Sequence, residues 1–143
     1  MDYRALAVEL EECLALALRH PAPQGIIRLS RGEAGVLKCL SQAERECTPG
    51  DLRALLGVGS GRVADVLRSL ERKGLTRRRT DPHDARRALV SITDEGRALV
   101  RELREVFLSD QQRMLEALGP SDAAEFVRLM RRVAEQQSAR ASG

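Results

Sequence analysis

Near Gly74 the spacing of apolar residues changes, and that change constrains this chain more than any other feature. Upstream, apolar residues recur at the three-and-four interval of helix faces. Between residues 75 and 92 they alternate instead, with Ala88, Val90 and Ile92 on one side, and then the helical interval returns. Two short strands are predicted at 75–79 and 87–92, joined across "TDPHDA", where Pro82 and the flanking aspartates make a turn.

Helices surround this hairpin. The first is predicted over residues 2–19, with Tyr3, Leu6, Ala7, Leu10, Leu14, Ala17 and Leu18 on one face, and "HPAPQG" ends it. Ser30 and Glu33 have the spacing of a capping box, which starts a second helix with Leu37 and Leu40 on its apolar face. Thr48 caps a third, with Pro49 in its first position, Asp51 in its first turn and Leu52, Leu55 and Leu56 inward. "GVG" breaks it, and a fourth runs over residues 60–73 with Val63, Val66, Leu67 and Leu70 buried, stopped by Gly74. Thr93 caps a long helix reaching 118, with Leu99, Leu103, Val106, Phe107 and Met114 on its apolar face. "GPSD" separates it from a last helix over 121–138, and residues 139–143 read as a frayed tail. With 143 residues the simplest expectation is one domain. Its only aromatic residues are Tyr3, Phe107 and Phe126, so aliphatic helix packing must carry the core. The predicted class is mainly α with a small β-wing.

Charge is unevenly spread. The net charge is only +3, but between Arg62 and Arg87 nine basic residues stand against four acidic ones. An anionic partner feels that local excess rather than the total. The apolar stretches are too short to span a bilayer and no secretory signal opens the chain, so a cytoplasmic protein without a membrane partner is expected. Cys13, Cys39 and Cys47 form neither a CxxC pair nor an even disulfide set, which fits reduced thiols. "GVGSG" lacks the preceding strand and the Lys-Ser/Thr of a phosphate loop. "DPHD" reads as a turn rather than a metal site, and two histidines offer little to acid-base catalysis. No metal, cofactor or enzymatic activity is expected.

Helix, short turn, helix and then an arginine-rich hairpin make a winged helix-turn-helix, spanning residues 29–96. The second helix of such a pair fits the major groove of duplex DNA. Opposite its apolar side it presents Ser60, Gly61, Arg62, Ala64, Asp65 and Arg68. The hairpin sets Arg77, Arg78, Arg79, Arg86 and Arg87 where a wing lies along the minor groove, whose negative potential attracts arginine. Arg77, Arg79, Arg86 and Arg87 are its expected DNA contacts. Asp84, two residues before Arg86, is placed to hold that guanidinium in a bidentate pair.

With "LSRGEAGVLKCL" and "LRALLGVGSGRVADVLRSLERKGLTRRRTDPHDARRALVSITDEG", the sequence resembles the MarR family of bacterial transcriptional regulators. The "DPHDAR" and "ITDEG" segments after a basic strand are the most specific parts. The resemblance implies a homodimeric winged-helix repressor of a palindromic operator, often released by a small ligand. It places Arg86 at the wing arginine that enters the minor groove, with Asp84 as its partner. Gly59 and Asp65 depart from the family pattern, which often has serine at the first position and a basic or hydroxyl residue at the second.

The terminal helices, residues 1–20 and 97–138, carry more apolar surface than a single winged helix of ~70 residues needs, which suggests association. Leu6, Leu10, Leu14, Phe126, Met130 and Val133 are the expected dimer contacts. An effector would lie between dimer helices and wings, in a cleft expected to be apolar with aliphatic walls. Two alternatives come with this expectation. One is a thiol-based sensor at Cys13, although its place beside Leu6, Leu10 and Ala17 favours a buried, inert thiol. The other is a winged-helix protein-interaction module with relaxed DNA contact.

Overall fold

A computed structural model describes residues 1–17, 26 and 28–141. The order is α1 (Tyr3–Ala17), α2 (Arg31–Gln42), α3 (Pro49–Leu56), α4 (Ser60–Arg72), β1 (Thr76–Asp81), β2 (Asp84–Ile92), α5 (Asp94–Leu118) and α6 (Pro120–Ala141). This is the expected helix-turn-helix and wing with long flanking helices. The "HPAPQG" break falls outside the described residues, apart from which α1 follows its predicted pattern.

Local chemistry sets the helix starts. Both capping boxes form: Ser30 Oγ accepts from the Glu33 amide, and Thr48 Oγ1 accepts from the Asp51 amide. In each, the acid reaches back to the amide of the capping residue, so two otherwise unpaired donors are satisfied. Thr93 caps α5 by accepting from the Gly96 amide at 3.0 Å.

The core lies between α2, α4 and the foot of the wing. Val36, Leu37, Leu40, Leu52, Val63, Leu67, Leu70, Leu75, Val90, Ile92 and Leu99 are buried together with Cys47. Cys39 packs against this cluster, half-buried. Leu55, expected inward, is 68% exposed. In a helix of eight residues, Leu52 and Leu56 stand one turn apart on the core side, and Leu55 falls off it.

β1 and β2 pair antiparallel, with Thr76 opposite Ile92 and Arg78 opposite Val90. Both strands run further than predicted, so the turn contracts to Pro82 and His83, and Arg86 and Arg87 lie within β2. His83 donates its amide to Asp81 Oδ1 at 2.8 Å, which closes that turn. Cys47 adds a short bridge on the other side of β2, exchanging both backbone hydrogen bonds with Val90. Burial pushes the Cys47 thiol above its ordinary pKa, against activation.

One joint connects α4, the wing and α5. Gly74 ends α4 in the left-handed region (φ 72°), and the Leu75 amide returns to Leu70 O at 3.0 Å. Thr93 then donates its amide to Leu75 O and its hydroxyl to Gly74 O, at 3.0 and 2.7 Å. At Gly96 a Cβ would stand 2.3 Å from Leu75 O and 2.7 Å from Ile92 Cγ1, so only glycine lets α5 start this close.

The terminal helices differ from the core. α1 and α6 contain no buried residue, and α6 continues to Ala141, so the predicted fraying at 139–141 is replaced by helix. Ala and Arg in that last turn are good helix formers. Cys13, expected to be buried, is exposed, because nothing among the described residues covers the face it shares with Leu6 and Leu10. Among the described residues, no helix is long and apolar enough to cross a membrane.

Glu33 does more than cap α2. It is 4% exposed, and its carboxylate also accepts from Ser69 Oγ and Lys73 Nζ, both at 2.7 Å. Lys73 donates in addition to Arg28 O at 3.0 Å. Burial alone would raise the Glu33 pKa. It is outweighed by the hydrogen bonds from Lys73, the Ser30 amide and Ser69 and by the Lys73 charge, which bring the carboxyl down from 4.5 to about 2. A depressed pKa stabilises the fold above the unfolded value, and that contribution is lost as pH falls through the folded one. Stability should therefore drop between pH 4.5 and about 2, by on the order of 3 kcal/mol from this group. Urea denaturation across that range, comparing wild type with Glu33→Gln, checks this: the stability difference should shrink toward low pH, and a constant difference contradicts it.

Candidate nucleic-acid interface

The solvent face of α4 is the one expected from its apolar period. Val63, Leu67 and Leu70 are buried, whereas Ser60, Gly61, Arg62, Ala64, Asp65 and Arg68 are all exposed. The helix starts at Gly59 with no side-chain cap, which leaves its first amides available. Asp65, an acid on a face that would meet phosphates, is paired with Arg68 one turn along. Its repulsion of an anion is thus compensated within the helix.

The five wing arginines are not equivalent. Arg78 donates to both carboxylate oxygens of Glu71 at 3.2 Å, tying the wing to the end of α4. Arg79 makes a second bidentate pair with Glu46, between α2 and α3, at 2.6 to 3.0 Å. Hydrogen bonding from Arg79 holds the Glu46 carboxyl below its usual range, and the same bond raises Arg79. Arg87 stands 3.8 Å from Asp81, and Arg77 Nε donates to Ser91 Oγ at 3.3 Å.

Arg86 is exposed, and its guanidinium has no ion-pair partner among the described residues. The expected bidentate pair with Asp84 does not form. Asp84 Oδ1 instead accepts the Arg86 backbone amide at 3.0 Å, because two residues apart on a strand that amide is the nearer donor. Asp84 thereby shapes the strand from which Arg86 projects.

The sequence-derived residues thus fall into two groups. Ser60, Gly61, Arg62, Ala64 and Arg86 are exposed with no ion pair among the described residues, while Arg68, Arg79 and, more loosely, Arg87 carry a neighbouring acid and Arg77 donates to Ser91. Glu46, Glu71, Ser69 and Lys73, which fasten α4 and the wing, were not picked out from the sequence, and Glu33 was read there only as a capping residue. Glu46 lies 33 residues from Arg79, with no local signal to join them.

Residues 29–96 match the family described as "Winged helix DNA-binding domain". The uncharacterized HTH-type transcriptional regulator YwaE of Bacillus subtilis is 28% identical over 81 residues, 57% of this chain and 47% of that protein. The chain therefore aligns with about half the length of this relative. The PcaV transcriptional regulator of Streptomyces coelicolor, solved in complex with its natural ligand, is 29% identical with a TM-score of 0.58, covering 91% of this chain and 89% of PcaV. Streptococcus pneumoniae FabT, solved in complex with DNA, shares the fold with a TM-score of 0.69 at 19% identity, covering 96% of this chain and 99% of FabT. With a winged helix DNA-binding domain at 29–96 and helices flanking it as in these regulators, the chain is similar to MarR-type transcriptional regulators along most of its length.

Proposed function

We propose that this protein is a sequence-specific DNA-binding repressor that acts as a homodimer on a palindromic operator and is released by a small ligand. The observation that carries this reading is the exposed face of α4 beside a wing whose Arg86 guanidinium is uncommitted. In it, Ser60 and Arg62 address the major groove while Arg86 enters the minor groove.

Dimerisation is supported by the flanking helices. Leu6, Leu10, Leu14, Phe126, Met130 and Val133 are each between 41% and 58% exposed in the single chain. Together with Tyr3, Phe107 and Leu129 they form more apolar surface than a soluble monomer ordinarily leaves open. A two-fold axis through α1, α5 and α6 would hold two α4 helices about 34 Å apart, one turn of DNA. Cys13 sits on the same apolar face and would be covered with it.

An effector, expected between dimer helices and wings, has its candidate groove away from the wing. Between α2 and α5 lies a groove of about 690 Å³ whose walls include Leu29, Leu37, Val100 and Leu103, with Lys38 and Arg104 beside them. Phe107 adds an aromatic wall to the aliphatic ones expected, and apolar walls with basic neighbours suit a small apolar ligand carrying an anionic group. Such a ligand would oppose DNA binding only by its differential affinity for the two spacings of the readers.

A salt titration of the full chain on duplex DNA separates this reading from a protein-interaction module. With about six phosphates neutralised, affinity should fall roughly a thousandfold between 50 and 200 mM salt. Negligible affinity even at the lowest salt contradicts the reading. On a duplex selected for binding, Arg86→Ala should lose roughly tenfold to a hundredfold in affinity with thermal stability and dimer mass unchanged. Wild-type affinity in that variant would remove Arg86 from the interface.

A further inference from the structure

Beside α4, on the side facing α2, is a second basic feature. A cleft of about 240 Å³ has an apolar floor that includes Val36, Val58 and Val63, and it is bordered by Arg31 at the start of α2 and Arg62 at the start of α4. Gly32 brings the two helices together there. A Cβ on it would stand 3.1 Å from Val66 Cγ2 and 4.0 Å from a guanidinium nitrogen of Arg62. The Arg62 side chain therefore leans back over the α2 start, toward Arg31, instead of extending away from it.

Neither guanidinium has an acid to meet. Among the described residues, Arg68, Arg78, Arg79 and Arg87 each stand within ion-pair distance of a carboxylate; Arg31 and Arg62, like Arg28, Arg72 and Arg77, do not, but these two alone border one cleft together. The nearest acid in sequence to Arg31, Glu33, is buried and already bound to Ser30, Ser69 and Lys73. Arg31 also occupies the first turn of a helix, where the macrodipole disfavours a cation. Two like charges on one cleft, one of them at a locally unfavourable position, gain nothing for the fold by being there.

We propose that Arg31 is a DNA-backbone contact, paired with Arg62 across this cleft to hold one phosphate at the edge of the groove that α4 enters. This rests on the DNA-binding reading above and extends the interface beyond the helix-turn-helix pair and the wing, to the start of α2. Arg31 fixes the position of the protein on the duplex and carries no base preference. Arg62 serves the same phosphate from its position at the start of α4, at the edge of the major groove that α4 addresses.

The test is anisotropy titration of the full-length chain on two duplexes of unrelated sequence over a range of salt, for wild type, Arg31→Ala and Arg31→Lys. Arg31→Ala should weaken binding by the same factor on both duplexes. It should also reduce the slope of log affinity against log salt by about 0.9, the value for one phosphate. Arg31→Lys should restore most of that slope, since a point charge suffices for a phosphate. The melting temperature of Arg31→Ala should be no lower than that of wild type, because the substitution removes a cation from a helix start. A wild-type slope in Arg31→Ala, while wild type itself binds, overturns this contact alone. A wild-type chain with no salt-dependent affinity overturns the contact together with the DNA-binding reading.

Discussion

Four backbone segments meet at the joint between Gly74–Leu75 and Thr93–Gly96, and the working geometry of the molecule depends on it. The end of α4, the start of β1, the end of β2 and the start of α5 are fastened there by three hydrogen bonds of 2.7 to 3.0 Å. The contact is close enough to require a residue without a side chain at Gly96. The end of α4, both ends of the wing and the start of α5 are therefore held against one another at a single point.

Charge is organised around the same frame. Glu33 is a buried anion whose hydrogen bonds to Ser30, Ser69 and Lys73 tie the start of α2 to the end of α4. Glu46 and Glu71 take up Arg79 and Arg78 and fix the wing against the helical body. These exposed pairs add little to stability, but they set direction. Near the α4 face and the wing tip, Arg31, Arg62 and Arg86 are among the cations with no carboxylate within ion-pair distance among the described residues. An arginine-rich hairpin thus divides into members that orient it and one that is free to bind.

Much of this was legible in the sequence because local rules govern it. Ser30 with Glu33, Thr48 with Asp51, and Thr93 before Gly96 announced three helix starts, and the switch to alternation announced the wing. The solvent face of α4 followed from the apolar period of Val63, Leu67 and Leu70. What escaped was set by contacts distant along the chain or by surfaces nothing here covers. Arg79 is claimed by Glu46, and no spacing rule joins them. Cys13 belongs to an apolar face, from which burial follows only if something packs on it, and among the described residues nothing does. Leu55 was misplaced because eight residues make too short a helix for a three-residue and a four-residue neighbour both to reach the core. Asp84 and Arg86 were joined through side chains, whereas the strand brings the backbone amide to the carboxylate first.

Among the described residues a single copy leaves α1 and α6 without a buried side chain, and on the proposed reading it offers one groove helix to a duplex that repeats every turn. Two copies about a dyad satisfy both conditions at once. Hydroxyl-radical footprinting of the full chain, on a duplex recovered from a random-sequence pool, reads that arrangement directly. The account predicts two protected patches centred about 10 base pairs apart on one face of the DNA. A single patch at saturating protein would contradict it.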